Sequence, residues 1–213
     1  MRHRRPPHLR PRPPPLRRRP LRVPRRRPPP PPPRVSPRWS GTHEELTTER
    51  LSLLRPAEGD IDAVLAVHRD PATCVHNPSD ALATRTEAEE LCGRWNAVRE
   101  RHGFGYWTVR EHDSPAVLGF CGIKPMTLAG LPILNLFYRL APAAWGRGVA
   151  TEAATTVAAW ASAHAPDLPL IARVRPENLA SRRVALRAGL RRAEHLDGEG
   201  CDGFDLIFAS RLP

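Results

Sequence analysis

The stretch from Leu140 to Ala153, Leu-Ala-Pro-Ala-Ala-Trp-Gly-Arg-Gly-Val-Ala-Thr-Glu-Ala, leaves the chain few ways to fold. An apolar strand pattern ends at Leu140, and Gly146 and Gly148 follow. An Ala-rich helical stretch then begins at once. Glycine lets a backbone turn tightly and approach a ligand with no Cβ in the way. The unpaired N–H groups of such a loop and of the first helical turn point outward. Together with the helix dipole they suit an anion such as a pyrophosphate. Two glycines serve a plain helix-start turn equally well, so this stretch alone leaves both readings open.

Hydrophobic patterning predicts strands over 46–54, 106–111, 116–123, 133–140 and 168–174, and a closing hairpin of 191–195 with 204–209. Helices are predicted over 60–67, 86–101, 148–165 and 178–188. Thr86 and Glu89 read as a capping box for the second helix, and Gly189 stops the last. Most strands follow one another as hairpins with helices between them. The expected class is therefore α/β, with a mixed and mostly antiparallel central sheet flanked by helices.

Composition divides the chain near residue 40. Residues 1–40 hold 14 Arg and 15 Pro and no acidic residue. Of the 33 basic residues 19 remain beyond that point, against 22 acidic ones, so 41–213 carries a net −3 where the whole chain carries +11. The basic charge thus belongs to a leader and not to the folding part, which argues against a nucleic-acid-binding globular domain. Nucleic acid is expected to be met at most weakly, through residues 1–40. Segments such as Pro28–Pro33 are restricted to polyproline II or disorder. Residues 1–40 therefore read as a disordered Arg/Pro-rich leader and 41–213 as one domain. The leader's role stays open between a tail for an anionic partner, a ligand for a Pro-binding module, and upstream sequence read because the start was placed too early. In the last case Val35 is a candidate initiator.

Cys74, Cys92, Cys121 and Cys201 are scattered with no metal-ligand spacing, so no metal site is expected. They read as buried or half-buried reduced thiols of a cytoplasmic protein. No apolar run is long enough for a membrane span. Lys124 is the only lysine, an Arg bias of the kind a GC-rich genome produces.

About 25 residues beyond the glycine loop comes Arg175-Pro-Glu-Asn-Leu-Ala-Ser-Arg-Arg-Val-Ala-Leu-Arg-Ala-Gly-Leu190. Here the chain resembles the GNAT N-acetyltransferases, and within them the RimJ/RimL-type branch. Trp145-Gly-Arg-Gly-Val-Ala-Thr-Glu-Ala153 matches that branch's W-G-x-G-x-A-T-E-A. Asn178, Ser181, Val184 and Gly189 match its N-x-x-S-x-x-V-x-x-K-x-G-F, with Arg187 and Leu190 in the Lys and Phe places. Leu46–Arg55, Gly105–Val109 and Leu118–Gly122 are similar to its first strand and central hairpin. The resemblance covers roughly 46–210, in three segments in the right order.

The resemblance implies a GNAT acyl-CoA N-acyltransferase fold whose fourth and fifth strands splay around the pantetheine arm of acetyl-CoA, the co-substrate. It implies that backbone groups of Tyr138, Arg139 and Leu140 pair with that arm. Amides of Gly146, Arg147, Gly148, Val149, Ala150 and Thr151 would cradle the pyrophosphate. Asn178 would bond the arm, or act only as a helix N-cap, or both. Ser181 would lie near the sulfur. Glu152 reads as a structural carboxylate in the first turn of its helix.

The implied reaction moves an acetyl group from acetyl-CoA to a primary amine by direct transfer in a ternary complex. The acceptor is a protein N-terminal α-amino group or a small-molecule amine. Two departures bear on it. The Tyr that many GNATs use as general acid would fall at Ala185, and the strand Glu of many branch members is replaced by Asn135. Asn135 takes no proton, so it is expected to orient a water that leads the amine's proton toward solvent. His195 reads as a hairpin residue more than a base. The acceptor pocket is expected from the first two helices and the last hairpin. A homodimer is allowed. Two alternatives stay open: a catalytically silent domain that binds CoA as sensor or scaffold, and a ribosome- or RNA-associated protein recruited by its basic leader.

Overall fold

A computed structural model describes residues 45–211. The expected disordered leader, residues 1–40, lies outside the described residues.

Nine strands form one sheet: β1 (Glu45–Thr47), β2 (Leu51–Leu54), β3 (Tyr106–Glu111), β4 (Val117–Leu128), β5 (Leu131–Leu140), β6 (Leu170–Val174), β7 (Arg191–Arg192), β8 (Gly198–Glu199) and β9 (Phe204–Ala209). Their order is β1-β2-β3-β4-β5-β6-β9-β7, with β8 paired to β9 off this path. Among the described residues only β5 and β6 run parallel, and every other pairing is antiparallel. The helices are α1 (Ile61–Arg69), α2 (Pro71–Cys74), α3 (Arg85–His102), α4 (Val149–His164) and α5 (Leu179–Arg187).

Both faces of the sheet are covered, so the central strands are buried on alternate residues in both directions. On one face Leu51, Leu53, Trp107 and Leu136 pack with Val149, Ala153, Val157 and Ala161 of α4. Those α4 positions recur at every fourth residue, and the alanines let the helix lie close to the strands. On the other face Tyr106, Phe120 and Phe137 pack against Ile61 and Val64 of α1 and Ala88, Cys92 and Trp95 of α3. Asp60, 4% exposed, ties α1 to the sheet by accepting from Thr108 Oγ1 at 2.7 Å and pairing with Arg110.

Three local expectations are corrected. The strand expected over 46–54 is two strands, because Thr48 Oγ1 accepts from the Leu51 amide at 2.8 Å and turns the chain between them. The capping box of α3 is Thr84 with Glu87, not Thr86 with Glu89. The same Thr-x-x-Glu spacing occurs twice, and the earlier frame wins because Glu87 also accepts from the Ala83 amide at 2.6 Å. Glu89 instead pairs with Arg85 one turn before it. The strand expected over 191–195 is only Arg191–Arg192, followed by a 3-10 turn at Glu194–Leu196.

Gly119 allows a close approach within the sheet. A Cβ there would lie 2.3 Å from the Arg139 carbonyl oxygen and 2.5 Å from Leu140 Cα, at a φ of +145°. No helix of the described residues is long and apolar enough to cross a membrane.

Candidate active site

The parallel pair β5–β6 is joined by only two rungs, Leu134 with Leu170 and Asn135 with Ile171. Beyond Asn135 the strands part, although β5 runs on to Leu140 and β6 to Val174. This is the expected splay of the fourth and fifth strands, which are β5 and β6 once the first is counted as two. A cleft of about 670 Å³ opens in the fork, with Leu136, Tyr138 and Leu140 on one wall and Ala172 and Val174 on the other. Asn135 stands at the crotch of the fork, and its buried Oδ1 has no hydrogen-bond partner among the described residues. A buried acceptor without a donor is costly, so it suits an N–H or O–H arriving in the cleft.

Alternation along β5 sends Tyr138 toward α5. Its hydroxyl lies 2.8 Å from Ser181 Oγ and 2.9 Å from the Ser181 carbonyl oxygen. Burial pushes the phenol's pKa up, against a smaller opposite pull from the Ser181 bond. Tyr138 therefore keeps its proton at neutral pH. Ser181 is placed by the start of α5, where Asn178 Oδ1 accepts from the Ser181 amide at 2.9 Å. Asn178 is thus an N-cap that also lines the cleft.

The glycine loop runs between two cleft-lining residues, Trp145 and Ala150. Gly146 and Gly148 adopt φ of +72° and +80°, conformations that side-chain-bearing residues avoid. Their turn delivers the chain into α4 with the first amides of the helix unpaired by it. Trp145 is 49% exposed and donates its indole N–H to the Leu140 carbonyl at 2.9 Å. That carbonyl is therefore already engaged.

The other half of the cleft has an aromatic floor. Trp95 and Tyr106 stack at 4.9 Å, and Phe137 meets Tyr106 edge-on at 5.2 Å. His68, 2% exposed, lies parallel to Phe137. Burial and then the nearby Arg139 charge lower the His68 pKa to about 4. His68 Nδ1 sits 2.9 Å from the Val64 carbonyl, which can only accept. In the neutral ring Nδ1 carries the proton and Nε2 keeps its lone pair. Arg139 lies beside this floor, over the Phe137 ring and paired with Asp80 at 2.8 Å. Above it the 76–80 segment is tethered from other elements. Arg175 Nε donates to the His76 carbonyl at 3.1 Å, and Asp202 accepts from the Ser79 amide at 2.9 Å and hydroxyl at 2.7 Å.

Of the residues named from sequence, Asn135, Tyr138, Arg139, Leu140, Ala150, Asn178 and Ser181 line this one cleft. Gly146, Arg147, Gly148, Val149 and Thr151 do not, and form the loop and helix start beside it. Val149 is core, so only its backbone is available, and the Arg139 side chain is committed to Asp80. His195 is exposed and does not line the cleft. All four cysteines are free, and Cys201 is exposed on the cleft wall where a buried or half-buried thiol was expected. No group of residues suited to hold a metal occurs among the described residues. Lys124, opposite Asn135 on β4, also lines the cleft.

The sequence reading missed His68, Asp80, Tyr106, Phe137 and Asp202. Two signals were present. His68 falls on the Ile61–Val64 face of α1, which made it an inward-facing polar residue. Phe137 and Arg139 alternate with Tyr138 and so share the face of Asn135.

Comparison with known proteins gives the following. The family model described as acetyltransferase (GNAT) domain matches residues 50–191. The chain is 30% identical over 97 residues to the uncharacterized protein YkkB of Bacillus subtilis, covering 45% of this chain and 56% of that protein's own length. Among solved structures, an acetyltransferase from Agrobacterium tumefaciens is 24% identical with a TM-score of 0.66, over 78% of this chain and 94% of its own. RimL, a ribosomal L7/L12 α-N-protein acetyltransferase solved in complex with coenzyme A, is 15% identical with a TM-score of 0.63, over 79% of this chain and 98% of its own. At these identities the structural likeness is one of fold.

Proposed function

The chain belongs to the acetyltransferase (GNAT) domain family, and on that premise we propose that it moves an acetyl group from acetyl-CoA to a primary amine by direct transfer in a ternary complex. The observation that carries this reading is the fork. Two rungs hold β5 to β6, and the Tyr138–Ser181 hydroxyl pair, Asn178 and Asn135 all face the gap beyond them.

The residues present fit a CoA thioester. The edges of β5 and β6 beyond Asn135 have no strand pairing to each other, and the loop 146–151 ends in a helix start suited to a pyrophosphate. Backbone groups of Tyr138 and the Leu140 amide are the partners left for a pantetheine arm; the Arg139 carbonyl faces Gly119 of β4, and the Leu140 carbonyl is taken by Trp145. Bound acetyl-CoA supplies an acetyl group already activated as a thioester.

The chain's own residues then handle protons. Tyr138 and Ser181 are two neutral hydroxyls in contact, able to pass a proton to a leaving thiolate. This gives Ser181 the sulfur-side role and adds Tyr138 to it, in place of the tyrosine absent at Ala185. On the acceptor side Asn135 Oδ1 accepts from the amine or from a water that carries its proton away. Neutral His68 offers a second lone pair above the aromatic floor.

A protein N-terminal α-amino group or a small amine is the proposed acceptor class; RimL's own name, and the RimJ/RimL-type motifs, support the former. The test uses the full 213-residue chain. Its melting temperature is measured with and without saturating acetyl-CoA, and thiol release is then followed over a panel of peptides and small amines. A rise in melting temperature with thiol release is expected. No rise would sink the reading, and a rise without release from any amine would favour a silent CoA binder.

A further inference from the structure

The turn between β1 and β2 reaches across to the start of α4. Glu152, in the first turn of α4, accepts from Thr48 Oγ1 at 2.5 Å, the Arg50 amide at 3.2 Å, Arg50 Nε at 2.8 Å and Arg50 Nη2 at 2.6 Å. Arg50 Nη1 and Nη2 also donate, each at 3.2 Å, to the carbonyl oxygen of Arg147, between the two loop glycines. The Arg147 side chain pairs with Glu111 at the end of β3. Each nitrogen of the Arg50 guanidinium thus has a partner, and its charge is paired with that of Glu152.

This matters because of where Glu152 sits. A carboxylate in the first turn of a helix is attracted by the helix's positive end and by its unpaired amides, the groups an anionic ligand would use. Left loose, Glu152 would compete with such a ligand for them and repel it. Held by Thr48 and Arg50, it is drawn to the β1–β2 side. The bonds from Arg50 fix the Arg147 carbonyl on that side as well, which leaves the loop's N–H groups for the opposite one.

We propose that Arg50 and Glu152 form a clamp that positions the 146–151 loop for the diphosphate of a CoA ligand, with Arg50 acting through Glu152 and Arg147 and not as a phosphate ligand itself. The inference rests on the functional reading above. Nothing in that reading calls for Thr48, Arg50 or Glu152.

The clamp makes a signed prediction about combined variants. Arg50→Met leaves the charge of Glu152 unpaired and its Oε2 free, with Oε1 still held by Thr48 and the residue-50 amide, and should weaken CoA binding about tenfold, the scale of a helix-end charge effect. Glu152→Gln should cost only about threefold, because no loose charge is created. The double variant R50M/E152Q should bind CoA better than R50M alone, which additive structural damage would not produce. Binding of CoA to the full chain is measured by titration calorimetry, with kcat and the KM for acetyl-CoA measured beside it. The KM should rise while kcat at saturation stays within about twofold.

R50M binding CoA as tightly as the wild type, or the double variant binding no better than R50M, would overturn the clamp. A wild-type chain that fails to bind CoA would overturn the functional reading first, and the clamp with it.

Discussion

The hydroxyl of Tyr138, on β5, meets the hydroxyl of Ser181, on α5, at 2.8 Å across the mouth of the fork. In the reaction proposed above the two hydroxyls act together as one proton relay, and its members come from two elements that the fold brings together. Tyr138→Phe removes the phenolic proton while keeping the ring. It is expected to lower kcat by about 10²-fold with little change in the KM for acetyl-CoA. Ser181→Ala should cost a similar factor, and the double variant little more than either single one, because the two act as a unit. Thiol release under saturating substrates is the measurement, and a multiplicative double variant would separate them.

His68 gives the fold a pH dependence with a fixed sign. Its pKa in the folded protein is about 4, below the 6.5 of an unfolded chain, because it is buried and faces Arg139, with the Val64 bond and then Asp80 opposing more weakly. Unfolding lets it take up a proton between those values. Its contribution is fully present above pH 6.5 and is lost as pH falls toward 4, to an extent on the order of 3 kcal/mol. In urea melts at a series of pH values, His68→Phe should flatten this window.

Asp202 and Ser79 close a contact between the 76–80 segment and the loop before β9, and both residues line the cleft. Asp202→Ala removes both bonds without touching the fork. It is expected to change the KM for acceptors, most for bulky ones, and to leave the KM for acetyl-CoA alone. Comparing a small amine with a peptide as acceptor reads the difference directly.

Two glycines should answer an added methyl group in opposite ways. At Gly119 the Cβ meets backbone atoms at 2.3 and 2.5 Å, which cannot move without parting β4 from β5. Gly119→Ala should cost at least about 2 kcal/mol. Gly93, exposed in α3, has nothing within 4 Å of an added Cβ. Gly93→Ala should add about 0.5–1 kcal/mol by restricting the unfolded chain and favouring the helix. Thermal melts of both variants check the pair.

More of the proposed donor side than of the proposed acceptor side is legible in the sequence, and the reason is physical. A ligand-binding loop made of backbone amides needs glycines and a helix start in one short stretch, so Gly146 to Thr151 can be read locally. Asn178 and Ser181 are likewise three residues apart on one helix. The aromatic floor is assembled from α1, α3, β3 and β5, whose His68, Trp95, Tyr106 and Phe137 are far apart in sequence. Each alone reads as an ordinary core residue. The capping frame of α3 erred for a different reason: two equivalent Thr-x-x-Glu frames overlap, and only the contact of Glu87 with the Ala83 amide selects one.

Lys124 lines the cleft opposite Asn135, and it is the sole lysine of the 213 residues. The 32 arginines carry guanidinium groups that stay protonated and unreactive at neutral pH. Apart from its α-amino group, the chain therefore exposes one nucleophilic nitrogen of the kind its proposed substrates carry. Self-labelling has almost nowhere else to occur, and an amine-selective mass tag becomes a built-in gauge of cleft occupancy. The tag's rate on Lys124 should fall as a ligand fills the fork, with no engineered reporter required.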